Sequence, residues 1–541
     1  MTASSLLAAA LLIGCAAVSV RAADLPAATG AQLLRSSCGG CHQQSTPDQY
    51  ARISSIRKTP EGWLMTIFRM QHVHGVALGD DDRDTLVRYL ADTQGLAPSE
   101  TTPARFALER RPNAQDMQLP GELQTLCARC HTAARVALQR RDADDWLKHV
   151  HWHLAQWPTI EYQQNARDRY WWQTASTVVP GELGKLFPFH SQAWDDWRKH
   201  AKADISGNWM VRGHKPGRGD YWGTAVIRKS ADGNYEAAYL LEDEVGEKFD
   251  GGSTAIVYTG YEWRGSGHLG RRPAREVFAL SEDGQTLSGR WFAPDHSEDG
   301  GDWTATRAAN TARILAVSPT AIRVGRTTRV TLFGEKLDGA VNFGAGTKSK
   351  IVSRTPNSVV ADVTVAAAAK TGYRPISVGT ATTAAATAAA ATAAVSSNPN
   401  LFAVYDRVSR LDVTPGFGIA RLGGGKVDAV TAQYEAVAYL DLPTSAGGTE
   451  AVRLGNLPVN WSVEPFNEDA KIAQDVKFAG KIDDTGRFVP AGAGPNPERK
   501  FSANNAGNLS VVATLADNAQ TVVGKGRLIV TVQRWNSPPI Y

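Results

Sequence analysis

The chain has 541 residues, 43% of them hydrophobic and 21% charged, with 50 glycines. This composition excludes wholesale disorder and a multi-span membrane protein, and at roughly 150 residues per domain the length asks for about three to four units. Lys and Arg number 58 against 54 Asp and Glu, a net charge of +4, too weak a bias over this length to call for nucleic acid.

In chain order, residues 5–20, SLLAAALLIGCAAVSV, form an uncharged apolar run followed by Arg21, Ala22 and Ala23. The run is short for a membrane span and reads as a signal peptide over 1–23, which predicts a periplasmic destination. Leu12-Ile13-Gly14-Cys15 offers the alternative of a lipobox, with Cys15 acylated as an anchor.

All five cysteines (15, 38, 41, 127, 130) precede residue 131, nine of the twelve histidines lie at or before His200, and neither type follows His296. Soft and imidazole ligands are thus confined to the front of the chain. The four cysteines beyond the leader form two C-x-x-C-H pentapeptides, Cys38-Gly39-Gly40-Cys41-His42 and Cys127-Ala128-Arg129-Cys130-His131. Two thiols three positions apart can both bond to the vinyl groups of a haem, and the adjacent His then reaches the iron. Zinc or redox disulfides are the competing uses of C-x-x-C. The expectation is two covalently attached c-type haems.

Sixth ligands are available downstream of each pair. TPEGWLMTIFRMQHVHG supplies Met65, Met70, His72 and His74; DADDWLKHVHWHLAQW supplies His149, His151 and His153. Aligning Trp63 with Trp146 sets Met70 opposite His153, seven residues after each tryptophan. Seven residues are about two helical turns, so tryptophan and ligand share a face. The repeat therefore predicts axial pairs His42/Met70 and His131/His153, with His149 the competitor of His153. A thioether ligand favours a higher potential than a second imidazole, which predicts electron entry at the His131/His153 side and exit at the His42/Met70 side.

Residues 24–204 read as an all-α dihaem cytochrome c domain, with helix starts at Thr59-Pro60-Glu61, at Asp80 to Asp82 and at Asp142 to Asp145. From 205 to 310, alternating segments such as YEAAYLLED and REVFALSE, broken by turn residues, predict an antiparallel β-barrel or sandwich. Gly265-Ser266-Gly267-His268-Leu269-Gly270 matches G-x-G-x-x-G, but Arg271-Arg272-Pro273 follows where a dinucleotide fold needs a helix. Residues 311–400 resemble an IPT/TIG-like β-sandwich running into the Ala/Thr-rich linker of 380–400, and 401–541 reads as an immunoglobulin-like β-sandwich.

The two CxxCH sites, the TPEGW…RM…HG and DDW…HVHWH segments and three β domains behind them resemble the alpha subunit of bacterial quinohemoprotein amine dehydrogenase. The resemblance implies a periplasmic heterotrimer. A β-propeller subunit and a small subunit bearing cysteine tryptophylquinone complete that enzyme, which oxidises primary amines. Its alpha chain takes electrons from the quinone and passes them to a soluble cytochrome c or copper protein. Haem attachment uses every cysteine of this chain outside the leader, which leaves no thiol for such a quinone; no catalytic residue for amine oxidation is expected here. Two readings from other classes compete: a dihaem peroxidase or quinone-maturing enzyme, and a stand-alone extracellular dihaem electron shuttle.

Overall fold

The computed structural model describes residues 27–46, 48–105, 117–128, 131–157, 170–379, 395–396, 401–445, 447–518 and 520–532. The leader with Cys15, the second motif's Cys130 and nearly all of the Ala/Thr-rich tract lie outside the described residues.

The leading region is organised by the repeat around its two tryptophans. Thr59 accepts a hydrogen bond from Gly62 N and Asp142 one from Asp145 N, so each caps a helix, Pro60–His74 and Ala143–Gln156 respectively. Trp63 and Trp146 fill equivalent positions one turn later and are 1% and 2% exposed. The residues just before the caps form two short strands, Ile56–Lys58 and Gln139–Arg141, which pair antiparallel as Ile56↔Arg141, Arg57↔Arg140 and Lys58↔Gln139. The halves therefore meet about a local two-fold at the Arg57↔Arg140 pair.

Two buried guanidinium groups facing each other need an anion between them. Glu100 supplies it. Its carboxylate accepts from Arg57 Nη1 at 2.8 Å, Arg57 Nη2 at 2.9 Å, Arg140 Nε at 3.1 Å, Ser191 Oγ at 2.8 Å and Ala97 N at 2.8 Å. Burial would raise its pKa, but the Arg57 hydrogen bonds and the Arg140 charge outweigh it and hold the carboxyl down at about 2.

Helix Asp80–Thr93 packs on both Ala27–Cys38 and Pro60–His74, enclosing Leu34, Trp63, Ile67, Leu86 and Leu90. A second cluster gathers Leu123, Trp146, Val179 and Leu183. The region is mostly helical, but it departs from the all-α expectation in two ladders, the one above and Gln44–Thr46 with Gln49–Tyr50. Strands of two or three residues are too short to display alternation, so they leave no periodic trace.

Eight strands, from Gly207–Lys215 to Gly300–Arg307, close into an up-and-down barrel in which each strand pairs with its sequence neighbours and the last with the first. Closure removes the sheet edges, and Trp209, Tyr239, Trp263, Phe278 and Trp303 fill the interior. The G-x-G-x-x-G match lies largely on strand Glu262–Leu269, where a Cβ on Gly267 would fall 1.9 Å from Gly252 O; Gly267 serves close strand approach. The barrel seats the leading region. Arg264 Nε donates to Glu61 Oε1 at 2.5 Å, Trp197 Nε1 to Thr259 O at 2.9 Å, and the hydroxyls of Thr101 and Tyr261 are 3.1 Å apart.

Beyond the barrel, strands Arg313–Ser318, Thr327–Glu335, Ser358–Val365 and Thr347–Thr355 form one sheet in that order. Its core includes Val330, Phe343, Val363 and Phe402. Strand Phe402–Tyr405 pairs with Ala321–Arg323 and Gly372–Arg374 in a separate three-stranded sheet, so this unit continues past the expected division at 400. Ala403 turns instead to the next core, with Leu440, Val452, Leu509 and Leu528. That last unit contains a four-stranded sheet whose longest pair is Gly507–Asp517 with Gln520–Thr531.

Barrel and last unit meet at His214. Its Nδ1 is 2.6 Å from Asp220 Oδ1 and its Nε2 is 2.8 Å from Glu435 Oε1. Burial alone would lower the imidazole pKa; the two carboxylate hydrogen bonds outweigh it and push it up to about 10.

Candidate functional site

At the first motif the backbone makes a helical turn, with Cys41 N donating to Cys38 O at 3.1 Å and His42 N to the same carbonyl at 2.9 Å. Cys38, Cys41 and His42 thus share one turn. Cys38 is half-buried against the core of Trp63 and Ile67, and Cys41 is exposed. His42 Nδ1 lies 2.9 Å from Ala51 O. A carbonyl only accepts, so Nδ1 carries the proton and Nε2 is the nitrogen with a lone pair for a metal.

Helix Pro60–His74 presents different residues to two sides. Trp63 and Ile67 are buried in the first core, and the half-buried Met70 follows on their face. The helix ends at Gly75, whose φ of 69° is left-handed and whose N–H bonds Met70 O. Gly62, Met65, Thr66 and Arg69 instead line a cavity at the second motif, where Met65 Sδ accepts from Arg135 at 3.2 Å. Of the two methionines proposed for the first site, only Met70 lies on its side of the helix. His72 is exposed with its ring 4.0 Å from Phe68, and His74 is exposed. Among the described residues no histidine ring pairs with that of His42.

The cavity has a volume of about 190 Å³ and opens to solvent at its mouth. Inside it, the rings of His131 and His153 face each other with centroids 6.4 Å apart and planes at 40°. A metal–nitrogen bond of about 2 Å, with the ring centre roughly 1 Å beyond the nitrogen, puts two imidazoles on one ion about 6 Å apart. Nδ1 of His131 is 3.0 Å from Thr132 O and Nδ1 of His153 is 2.9 Å from His149 O, so in both rings the Nδ1 proton is fixed as in His42. Burial pushes the pKa of His153 down, which keeps the imidazole neutral, as a ligand must be.

His149 has other surroundings. It stacks on Trp152 with centroids 5.3 Å apart and planes at 4°, and meets His153 edge-on at 4.7 Å. Burial holds its pKa well below the ordinary value. His151 meets Trp172 edge-on at 4.9 Å. Cys127 ends helix Glu122–Cys127 and is half-buried, which pushes its thiol up to about 11; Cys130 is outside the described residues.

Two features went unread in the sequence: the Arg57–Glu100–Arg140 node, and the presence of Lys58, Arg69 and Arg135 on the cavity wall. One signal was available for the node, since Ile56-Arg57-Lys58 and Gln139-Arg140-Arg141 precede the aligned tryptophans at the same offset.

Family models cover most of the chain. Residues 28–194 match the haem-binding domain of quinohemoprotein amine dehydrogenase alpha subunit, 202–308 its domain II, 311–390 its domain III and 411–540 its domain IV. The chain belongs to the quinohemoprotein amine dehydrogenase alpha subunit family. Its leading region is accordingly a haem-binding domain, and the family is that of one subunit of an oxidoreductase complex. No curated protein matches the sequence. Among solved structures, a de novo designed fluorescence-activating β-barrel matches at 20% identity over 19% of this chain and 93% of its own, with a TM-score of 0.16. A Bacteroides ovatus mixed-linkage glucan locus protein, SGBP-B, matches at 11% over 47% of this chain and 58% of its own, TM-score 0.19. Mouse clustered PcdhgC3 EC1-3 matches at 9% over 48% and 86%, TM-score 0.17. Likenesses this weak carry no argument about this quinohemoprotein subunit.

Proposed function

We propose that the chain is the electron-transfer subunit of an exported primary-amine dehydrogenase and holds two c-type haems. Cys38, Cys41 and His42 hold the first, with Met70 as sixth ligand; Cys127, Cys130 and His131 hold the second, with His153. The facing of His131 and His153, with each Nδ1 tied to a carbonyl, carries this reading. Bound haem supplies reversible one-electron storage. The chain's own residues fix the imidazole tautomers, exclude water with Trp63 and Trp146, and keep His153 neutral.

The units are 24–204, 205–310, an IPT/TIG-like unit from 311 through strand Phe402–Tyr405 and an immunoglobulin-like unit from there to 541, behind a signal peptide that directs the chain to the periplasm. The amine-oxidising quinone belongs to a small partner subunit, beside a β-propeller subunit, and the acceptor is a cytochrome c or copper protein. Purification of the exported native complex tests the proposal. The expected result is two haems per chain by pyridine haemochrome, two copurifying chains, and amine-dependent reduction of both haems. A resting high-spin haem open to added ligands would favour the dihaem peroxidase, and a monomer inert to amines the electron shuttle.

A further inference from the structure

The wall of the second cavity is electrically one-sided. Lys58, Arg69 and Arg135 line it, and among the described residues no Asp or Glu does. The nearby carboxylates are engaged elsewhere: Asp145 by Arg141 and Ser55, Glu61 by Arg264. Lys58 is 7% exposed, and among the described residues its hydrogen bond is to Thr66 Oγ1 at 2.6 Å, which leaves most of a three-proton donor group unused. Arg69 lays its guanidinium over Trp152 at 4.2 Å and makes no hydrogen bond among the described residues. Lys58 and Arg69, close together at low dielectric, repel one another. The other walls are apolar, with Leu126, Val150, Trp171, Ala175 and Leu183.

A ligand that fits this wall is a flat apolar body with anionic groups along one edge, and a haem carries its two propionates in that way. We propose that Lys58 and Arg69 clamp the propionates of the haem at His131 and His153, turning that edge toward helix Pro60–His74. The inference rests on the two-haem reading above and adds an orientation to it. Because the residue after Arg69 on that helix, Met70, falls on the face of Trp63 and Ile67 instead, the clamp points the charged edge of the second haem toward the first site. Cations at the edge also favour the reduced state, in which the iron carries one positive charge fewer, and so raise the potential of that haem.

The test is spectroelectrochemical titration of the exported full chain, with the bis-histidine haem identified by near-infrared magnetic circular dichroism. Arg69→Gln is expected to retain two haems and to shift the oxidised-to-reduced ratio of that haem about tenfold toward oxidised at fixed potential, a fall of about 59 mV for one electron. Arg69→Lys, which keeps the charge, is expected to restore most of it. Lys58→Met, which keeps an unbranched stem against Trp63, gives the same readout if Arg69→Gln is not exported. A shift of less than about twofold in both neutral variants, with both haems in place, overturns the clamp, as does a shift confined to the other haem. Fewer than two haems in the wild-type chain overturns the two-haem reading instead.

Discussion

His149 and His153 sit one helical turn apart on the same helix, and only His153 faces another imidazole across the cavity. The Trp152 stack holds His149 as a wall of the pocket. His153→Ala is therefore expected to turn the second haem high-spin and open to added ligands, while His149→Ala leaves a low-spin spectrum; optical and electron paramagnetic resonance spectra of the two variants decide. Glu100 is the other residue on which much turns. Glu100→Gln removes a charge held between two buried guanidinium groups, a change that typically costs about 3–5 kcal/mol, and chemical denaturation should show a loss of that order. Its depressed pKa also sets a pH window. The stabilisation is fully present above the unfolded value of about 4.3 and disappears as pH falls toward the folded value. Acid unfolding of the leading region should accordingly be displaced to lower pH in the wild type than in Glu100→Gln.

At the level of elements, helices Pro60–His74 and Ala143–Gln156 begin at equivalent caps, Thr59 and Asp142. Thr59→Ala and Asp142→Ala are each expected to cost about 1 kcal/mol, measurable by thermal or chemical unfolding of the holo chain. These helices were readable in advance because a cap, carboxylates in the first turn and a buried tryptophan one turn on coincide in a dozen residues. That Trp146 and His153 would share a face of their helix was readable for the same reason, and both line the second cavity. The barrel was readable from strict alternation, as in Tyr235–Asp243, whose burial alternates from residue to residue until its last turn of sequence. Closure was not, because it depends on the pairing of Gly207–Lys215 with Gly300–Arg307, two segments far apart in the chain. The Arg57↔Arg140 ladder escaped for two reasons: three-residue strands have no period, and a run of arginines reads as solvated surface until Glu100 is seen between them. The cationic wall escaped likewise, since Lys58, Arg69 and Arg135 converge only in three dimensions.

Across the whole molecule, the β units place the leading region and are joined to one another by polar contacts. The His214 junction joins barrel and last unit through an imidazole held between two carboxylates. A raised imidazole pKa means the contact is fully present below about 6.5, the unfolded value, and is lost as pH climbs through the folded value. The melting temperature of the transition that involves this junction should fall as pH rises from about 6.5 to about 10, and His214→Gln should flatten that dependence. Differential scanning calorimetry across this range would reveal both. The barrel's ion pair from Arg264 to Glu61 ties the same scaffold to the first turn of the helix that separates the two sites, so the position of that helix is set from outside the haem-binding domain.

The three-residue ladder at Arg57 and Arg140 bears on how the leading region can be dissected. A genetic cut between its halves, in the stretch after Arg105, would give each fragment one unpaired strand edge. It would also leave Arg140 buried without the carboxylate that neutralises it, because Glu100 stays with the other piece. Minimised single-centre cytochromes built from either fragment should thus be poor folders, and the smallest portable redox module in this chain is the undivided pair.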